Sequence, residues 1–271
     1  MSVPLVRIAA DPPTDPALME RAAALAEQLQ LPLADTTHAC GCEDVTSLLL
    51  ALTADHLEAR VQSGPEGIKQ GKPIYADLTT IDTRSGPGRS LKQPILKAIG
   101  LKKGDAFRPS VLDGTAGYAE DAWLLASFGC RVRAIEANPV VWALASDARE
   151  RAATRGDAEN AATAERLRLE HADTIDVLAT LAEAEQPDVV YLDPMFPTGR
   201  KTAEKKPMKL IRALVGDAEP HRDEALLRLA LQVAKRRVVV KRPTHAPPLA
   251  GREAAVAHAG KGIRFDVYPT R

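Results

Sequence analysis

The strongest constraint on the fold is a regular alternation of strand-like and helix-like segments that begins near Pro109. Short apolar or alternating segments predict parallel strands at 111–112, 131–135, 167–171, 189–192 and 237–240, and segments with helical apolar spacing predict helices at 120–128, 139–153, 174–184, 210–215 and 224–234. Strands and helices that alternate in this way are typical of a doubly wound parallel sheet. Two further strands, 254–258 and 263–268, are expected to close the sheet as an antiparallel pair. The expected fold class is therefore α/β.

Residues 1–83 are predicted to form a small α+β domain of their own. Strands are expected at 3–9, 47–53, 57–62 and 74–78, and a helix at 15–30 with Asp15 as its N-cap and Pro16 in its first turn. The Gly/Pro-rich segment 84–89 is typical of a linker, and a helix at 91–99 follows it. We therefore expect a second domain over 84–271.

Acidic residues stand where four of the predicted parallel strands end. They are Asp113, Glu136, Asp173 and Asp193. In an open parallel sheet, ligands bind at the edge formed by the carboxyl ends of the strands. A single acid at such a position, for example Asp173 taken alone, is more often a helix cap or turn residue. Four of them along one edge favour a ligand site.

The turn Asp113-Gly114-Thr115-Ala116-Gly117 indicates which ligand this edge binds. Gly114 and Gly117 allow the backbone to approach a ligand before the following helix, and Glu136 can accept hydrogen bonds from both hydroxyls of a ribose. The turn lacks the Gly-x-Gly-x-x-Gly pattern of nicotinamide enzymes, and acidic side chains suit a nucleoside with a cationic sulfonium better than one with a pyrophosphate. The predicted cofactor is S-adenosylmethionine.

The segment 193–196 predicts a site for a planar amino group. Pro194 and Pro197 end the preceding strand, so the carboxylate of Asp193 is presented at its carboxyl end. That carboxylate and the Pro194 carbonyl can accept the two N–H bonds of an amine, while Phe196 stacks on the base. We therefore predict Asp193, Pro194 and Phe196 as catalytic residues, the alternatives being an ordinary turn and, for Phe196, a core ring.

Four sequence blocks carry a family resemblance: ASFGCRVR at 126–133, EANPVV at 136–141, VYLDPMFP at 190–197 and VVVKRP at 238–243. Together with the glycine turn they resemble class I S-adenosylmethionine-dependent methyltransferases that methylate amino groups, and more narrowly the RsmJ type. Those bacterial enzymes methylate the N2 amine of a guanosine in 16S ribosomal RNA. The resemblance extends from about Arg84 to Tyr268.

The resemblance implies a class I methyltransferase (Rossmann-like) sheet, with 16S ribosomal RNA or the small ribosomal subunit as partner. Together with the turn, it gives the predicted cofactor-binding residues: Asp113, Gly114, Gly117, Glu120, Asp121, Glu136, Ala137, Asp173, Thr174 and Asp193. The sequence departs from the family pattern at Glu120, at Ala137 and at Asp173–Thr174, so Asp121, Glu136 and Asp193 carry over most directly.

An RNA-binding surface is predicted directly after the catalytic segment. Lys plus Arg equal Asp plus Glu at 36 each, so the chain has no overall basic charge and an RNA site has to be local. The segment 198–209 is rich in basic residues, and we predict Arg200, Lys201, Lys205 and Lys206 as phosphate contacts. Ordinary solvated surface is the alternative.

Other features exclude further function classes. The sequence shows neither a signal peptide nor about 20 consecutive apolar residues, so we expect a cytoplasmic protein with no membrane partner. His38, Cys40 and Cys42 lack the spacing and the second cluster of a zinc site, and no metal is expected.

Two alternative functions share the same fold. A NAD-dependent dehydrogenase would use the same glycine turn and Glu136, but would leave the segment 193–196 without a role. A non-catalytic RNA-binding or ribosome-assembly protein could also adopt a Rossmann-like fold, because fold does not determine function.

Overall fold

The computed structural model describes residues 5–34, 47–63, 71–195, 206–215 and 220–270. Its strands are β1 (Leu5–Ala10), β2 (Ser47–Leu52), β3 (Leu57–Ser63), β4 (Ser110–Asp113), β5 (Arg131–Glu136), β6 (Leu167–His171), β7 (Val189–Leu192), β8 (Arg237–Pro243), β9 (Val256–Ala259) and β10 (Ile263–Pro269). Its α-helices are α1 (Pro16–Leu29), α2 (Pro94–Ala98), α3 (Glu120–Ser127), α4 (Pro139–Thr154), α5 (Ala158–Arg166), α6 (Thr174–Thr180), α7 (Lys206–Val215) and α8 (Pro220–Val233).

The described residues form two compact units that interleave along the chain. The first unit comprises the described residues up to Asp77 together with Asn138–Arg151 and α7. The second comprises Leu78–Ala137, 152–195 and 220–270. The predicted domains, 1–83 and 84–271, are each continuous in sequence, whereas these units are not. The predicted domain boundary stays a prediction.

The first unit is built on a three-stranded sheet in the order β1-β2-β3. β1 and β2 are parallel, whereas β2 and β3 are antiparallel, and every residue of β2 is buried. Asp15 caps α1 as predicted, because its carboxylate accepts hydrogen bonds from the backbone N–H groups of Ala17 and Leu18 at 2.9 and 3.2 Å. The predicted strand at 74–78 is wrong, since only Ile74 forms a bridge, to Ala59, and the chain then enters a 3-10 turn.

The second unit contains a seven-stranded sheet in the order β6-β5-β4-β7-β8-β10-β9. Its first five strands in this order are parallel, and β10 pairs antiparallel with both β8 and β9. This confirms the predicted α/β class and the predicted antiparallel finish. Strand order reverses between β4 and β7, and the carboxyl ends of these two strands therefore flank the crevice where open α/β sheets bind ligands.

The two faces of this sheet carry different layers. Val190, Leu192, Val238 and Val240 pack into one core with apolar residues of α8, including Leu227. Side chains alternate along a strand, so Tyr191, which is also buried, lies on the opposite face.

The helix α5 was not predicted: only Thr163 and Ala164 are buried on it, and so weak an apolar pattern is typical of a loop.

Within the described residues, no helix is both long and apolar enough to cross a membrane.

Candidate active site

The turn between β4 and α3 is held by contacts that only glycine permits. A Cβ at Gly114 would lie 2.7 Å from Thr174 Cγ2 and 2.9 Å from Leu192 Cδ2, so this position has no room for a side chain. The Thr174 hydroxyl donates a 2.6 Å hydrogen bond to the Gly114 carbonyl. Gly117 has φ +55°, and a Cβ there would meet open space, so the second glycine is required by backbone conformation.

Asp113 lies beneath this turn and is 1% exposed. Its Oδ1 accepts a 3.0 Å hydrogen bond from the Thr115 backbone N–H. Burial raises the pKa of Asp113 to about 8; the Thr115 bond opposes the rise, and the charges of Asp121 and Asp193 add to it. A large fraction of Asp113 is therefore protonated at neutral pH, which lowers the negative charge in the crevice.

Glu136 ends β5 and supports the same turn from the neighbouring strand. It is buried, and its Oε2 accepts a 2.9 Å hydrogen bond from the Gly117 N–H. The predicted neighbour Ala137 is exposed, and its carbonyl lies 3.1 Å from His171 Nε2. The structure thus brings Glu136 to the glycine turn, whereas the Ala137 side chain lies at the surface.

Asp173 and Glu120 stand at or just before the N-termini of helices α6 and α3. Asp173 caps α6 through the Ile175 N–H at 2.8 Å, and its other oxygen is 2.8 Å from the Arg222 guanidinium. Burial alone would raise the pKa of Asp173, but Arg222 and the Ile175 N–H outweigh it and lower the pKa. Glu120 is exposed at the start of α3. Asp173 thus acts as a helix cap and Glu120 lies at the surface, and their contact with a cofactor stays a prediction.

Asp193 follows β7 directly, at the crevice. In the parallel register of β7 and β8, Leu192 pairs with Val240, so the next residues, Asp193 and Lys241, lie side by side. The Asp193 backbone N–H donates a 2.5 Å hydrogen bond to the Thr115 hydroxyl, which fixes the segment against the glycine turn. The Asp193 side chain is 39% exposed, so a ligand can reach it, although the surrounding protein still desolvates its carboxylate.

Four polar side chains form a connected network here, which we call the Lys241 network: Lys241, Asp193, Asp121 and Tyr191. Lys241 Nζ is 3.0 Å from Asp193 Oδ2 and 2.8 Å from Asp121 Oδ2, and the Tyr191 hydroxyl donates a 2.6 Å hydrogen bond to Asp121 Oδ2. Burial raises the pKa of Asp193, and the Lys241 ammonium opposes that rise. Burial also lowers the pKa of Lys241, but the Asp193 and Asp121 carboxylates outweigh it and raise the pKa.

Comparison with known proteins identifies the family. A family model described as SAM-dependent methyltransferase, SAM being S-adenosylmethionine, matches residues 32–270. The chain is 43% identical over 256 residues to "Ribosomal RNA small subunit methyltransferase J" of Thioalkalivibrio sulfidiphilus, with 93% of this chain and 94% of the relative covered. It is 46% identical over 228 residues to the protein of the same name from Vibrio vulnificus strain CMCP6, with coverages of 81% and 85%. The chain belongs to the SAM-dependent methyltransferase family.

A solved structure supports the same assignment at the level of the fold. The crystal structure of a SAM-dependent methyltransferase from Neisseria gonorrhoeae is similar with a TM-score of 0.69 and 28% identity, and covers 97% of this chain and 96% of its own. The predicted class I methyltransferase fold and the predicted cofactor, S-adenosylmethionine, are therefore confirmed. A nicotinamide cofactor is set aside.

The residues at the crevice of this methyltransferase fit such a cofactor. The uncrowded backbone at Gly117 leaves room for a ligand against the turn, and Glu136 beside it is an acceptor for hydroxyl donors. Asp121 and Asp193 bring two carboxylates to the single Lys241 ammonium, and carboxylates favour a cationic ligand. Within the described part of the chain, no cluster of three or more His, Cys, Asp or Glu is arranged to hold a metal ion.

Several predicted residues lie outside the described residues. They are Phe196, Arg200, Lys201 and Lys205, together with His38, Cys40 and Cys42. Lys206 is the first residue of α7, and only its backbone is described. Pro194 is described and partly buried.

Sequence reasoning missed the Lys241 network. Lys241 stands in the block VVVKRP, but no role was predicted for it. The signal was present, because Lys241 directly follows the predicted strand 237–240 just as Asp193 directly follows the predicted strand 189–192, and residues at equivalent positions of adjacent parallel strands lie at the same level of the sheet. Using that signal required knowing that β7 and β8 are adjacent and in this register.

Proposed function

We propose that this methyltransferase transfers a methyl group from S-adenosylmethionine to the exocyclic N2 amine of a guanosine in small-subunit (16S) ribosomal RNA. The relatives that match most of the chain are named ribosomal RNA small subunit methyltransferases. Their name supports the RNA substrate, and the chemistry of the crevice supports the acceptor atom.

The observation that carries the proposal is the environment of Asp193. Oδ2 of Asp193 is paired with Lys241, whereas Oδ1 has no hydrogen bond to another described residue. The next residue is Pro194, whose carbonyl is a second acceptor and whose ring fixes φ. Two neighbouring acceptors match the two N–H donors of an exocyclic amine, which a ring nitrogen or a ribose hydroxyl does not possess.

The same two acceptors supply the catalysis we propose. The lone pair of a guanine amine is delocalised into the ring, so the nitrogen has to pyramidalise before it can attack. Hydrogen bonds to Asp193 and to the Pro194 carbonyl favour that change and stabilise the positive charge that develops on nitrogen. The released proton passes to Asp193 or to solvent. When bound, S-adenosylmethionine supplies the electrophilic methyl group.

Other predicted residues are assigned binding roles in this proposal. Gly114 and Gly117 form the turn against which the cofactor lies, with Asp113 beneath it, and Glu136 accepts from the ribose. Asp121 and Asp193 favour the sulfonium charge. We do not assign the side chains of Glu120, Ala137 or Asp173 to the cofactor, whereas Thr174 holds the turn in shape.

The RNA itself requires two further contacts. A stacked or paired guanine has to leave its stack before its amine can reach Asp193, and Phe196 is proposed to stack on the extruded base. Arg200, Lys201, Lys205 and Lys206 are proposed to contact the RNA backbone. Because the proposed substrate is ribosomal RNA or the small subunit, we also propose a cytoplasmic location.

Methyl incorporation tests this function. Wild-type protein with S-adenosylmethionine labelled in its methyl group is expected to label 16S RNA or small subunits, and Asp193→Ala is expected to lose about 99% or more of the rate. Asp176→Ala, which removes an exposed aspartate of α6, is the matched control and should keep the wild-type rate. Failure of the wild type to label either substrate would favour the non-catalytic RNA-binding alternative.

A further inference from the structure

The fold brings one lysine, Lys241, into contact with two aspartates, Asp121 and Asp193. Lys241 lies within β8, Asp193 follows β7 directly, and Asp121 lies in the first turn of α3. Lys241 Nζ contacts Oδ2 of both carboxylates, at 2.8 Å for Asp121 and 3.0 Å for Asp193. One ammonium therefore fixes two acids that come from separate elements of the fold.

The arrangement leaves Asp193 with one occupied and one available oxygen. Lys241 holds Oδ2, and Oδ1 has no hydrogen bond to the described part of the chain. A carboxylate anchored through one oxygen has lost most of its rotational freedom, so its second oxygen points in a defined direction. The Thr115 hydroxyl fixes the backbone of the same residue at 2.5 Å.

Tyr191 and Asp121 in turn hold Lys241. The Tyr191 hydroxyl donates to the same Asp121 oxygen that Lys241 contacts, and Tyr191 is 1% exposed. Burial and the nearby carboxylates raise the pKa of Tyr191 well above its usual value, so it stays a donor. Asp121 therefore fixes the position of Lys241, and the buried Tyr191 hydroxyl fixes the orientation of Asp121.

We propose that Lys241 is a positioning residue that holds the Asp193 carboxylate ionised and directs its free oxygen toward the acceptor amine. This inference rests on the proposed function. Lys241 acts through Asp193 and does not itself contact the substrate. Asp121 and Tyr191 set the position of Lys241, so Asp121 serves the catalytic carboxylate in addition to any role toward the cofactor.

The charge relationships predict the pH dependence. Asp193 is faced by Lys241 and Arg242 from β8, by Asp121 from α3, by Asp113 from β4 and by Tyr191 from its own strand. The two cations favour the ionised form of Asp193, and the two acids oppose it. Removal of the Lys241 charge should therefore raise the pKa of Asp193 and move the acidic limb of the kcat profile to higher pH.

The test compares Lys241→Met, Lys241→Arg and, as matched control, Lys261→Met, which removes an exposed lysine from the turn between β9 and β10. At saturating RNA and cofactor, Lys241→Met should lower kcat about 10- to 100-fold and shift the acidic limb upward. Lys241→Arg keeps the positive charge, so its kcat and the position of its acidic limb should both lie closer to those of the wild type. Lys261→Met should match the wild type.

A second readout is independent of catalysis. The ¹³C resonance of the Asp193 carboxyl carbon, assigned with Asp193→Asn, reports its titration without RNA. Its midpoint should lie at higher pH in Lys241→Met than in the wild type and should return toward wild type in Lys241→Arg. A midpoint unchanged by Lys241→Met, or a kcat unchanged by it, would overturn the positioning role.

The two failures can be told apart. If the product is not N2-methylguanosine but the Asp193 midpoint responds to Lys241, the network stands and the acceptor atom is wrong. If N2-methylguanosine forms at the wild-type rate in Lys241→Met, the proposed function stands and the positioning role is wrong.

Discussion

At the scale of single residues, Asp193 can act through its charge or through its hydrogen bonds, and substitutions distinguish the two. Asp193→Ala removes both and should lower turnover by two or more orders of magnitude, about 3 kcal/mol of transition-state stabilisation. Asp193→Asn keeps an acceptor oxygen but loses the charge that pairs with Lys241. The ion pair between Lys241 Nζ and Asp193 Oδ2, at 3.0 Å, orients the Asp193 side chain. We therefore expect Asp193→Asn to recover little of the activity. Rates at saturating cofactor decide this, and near-wild-type turnover of the amide would show that charge is dispensable.

Glu136 supplies the residue-scale test of cofactor binding. Glu136→Ala should weaken S-adenosylmethionine binding by about 1 to 3 kcal/mol, as expected for a lost charged hydrogen bond. Glu136→Gln keeps an acceptor for the Gly117 N–H and should lose less. Calorimetry measures both, with Glu224→Ala on the exposed face of α8 as the control. An affinity unchanged in Glu136→Ala would remove this residue from the site.

Asp113 makes a prediction about stability rather than binding. Its pKa of about 8 in the folded protein lies above the unfolded value of 3.8, so the folded state binds the extra proton. The associated stability is complete below pH 3.8 and is lost as the pH rises toward and through 8. Asp113→Asn cannot lose a proton, and its Tm relative to wild type should therefore increase by a few degrees between pH 5 and pH 8.5. A Tm difference that stays constant with pH would contradict the raised pKa.

At the scale of elements, the β4–α3 turn tests how tightly the crevice is packed. Gly114→Ala places a Cβ 2.7 Å from Thr174 Cγ2 and 2.9 Å from Leu192 Cδ2, so it should destabilise the fold by about 1 to 3 kcal/mol and weaken cofactor binding. Adding Thr174→Ser removes the closer methyl group and should restore part of the loss. Gly86→Ala, where a Cβ meets nothing within 4 Å, is the control. Denaturant unfolding that ranks Gly114→Ala equal to Gly86→Ala would refute the close packing.

The elements also show what the sequence could reveal. The strands β4 and β7 were predictable because short apolar runs end in an acid, β5 and β6 because apolar residues alternate with charged ones, and the cap at Asp15 because its hydrogen bonds are local. The helix α5 and the absence of a strand at 74–78 were not, since weak or short apolar patterns leave the outcome to tertiary contacts. The same limit applies to Lys241, whose role depends on two strands that are distant in sequence but adjacent in the sheet.

At the scale of the whole molecule, the formal net charge is zero, so the proposed RNA binding requires a local basic patch. If the four predicted phosphate contacts bind RNA, replacing Arg200, Lys201, Lys205 and Lys206 with alanine should weaken binding and reduce the log–log salt slope by roughly one for each lost contact. A control that replaces four exposed lysines elsewhere uses Lys92, Lys102, Lys103 and Lys261. Equal salt slopes for the two variants would show that the segment 198–209 is ordinary solvated surface that does not contact RNA phosphates.

The identity of the methylated atom tests whether Asp193 and the Pro194 carbonyl hold an exocyclic amine. After incubation of 16S RNA or small subunits with the protein and S-adenosylmethionine, nucleoside mass spectrometry should find N2-methylguanosine with the wild type and almost none with Asp193→Ala. The reason is that Asp193 and the Pro194 carbonyl form a pair of acceptors suited to the two hydrogens of one exocyclic amine. Methylation found instead on a ring nitrogen, a ribose hydroxyl or a cytosine carbon would contradict the account, because none of these acceptors offers two amine hydrogens to that pair.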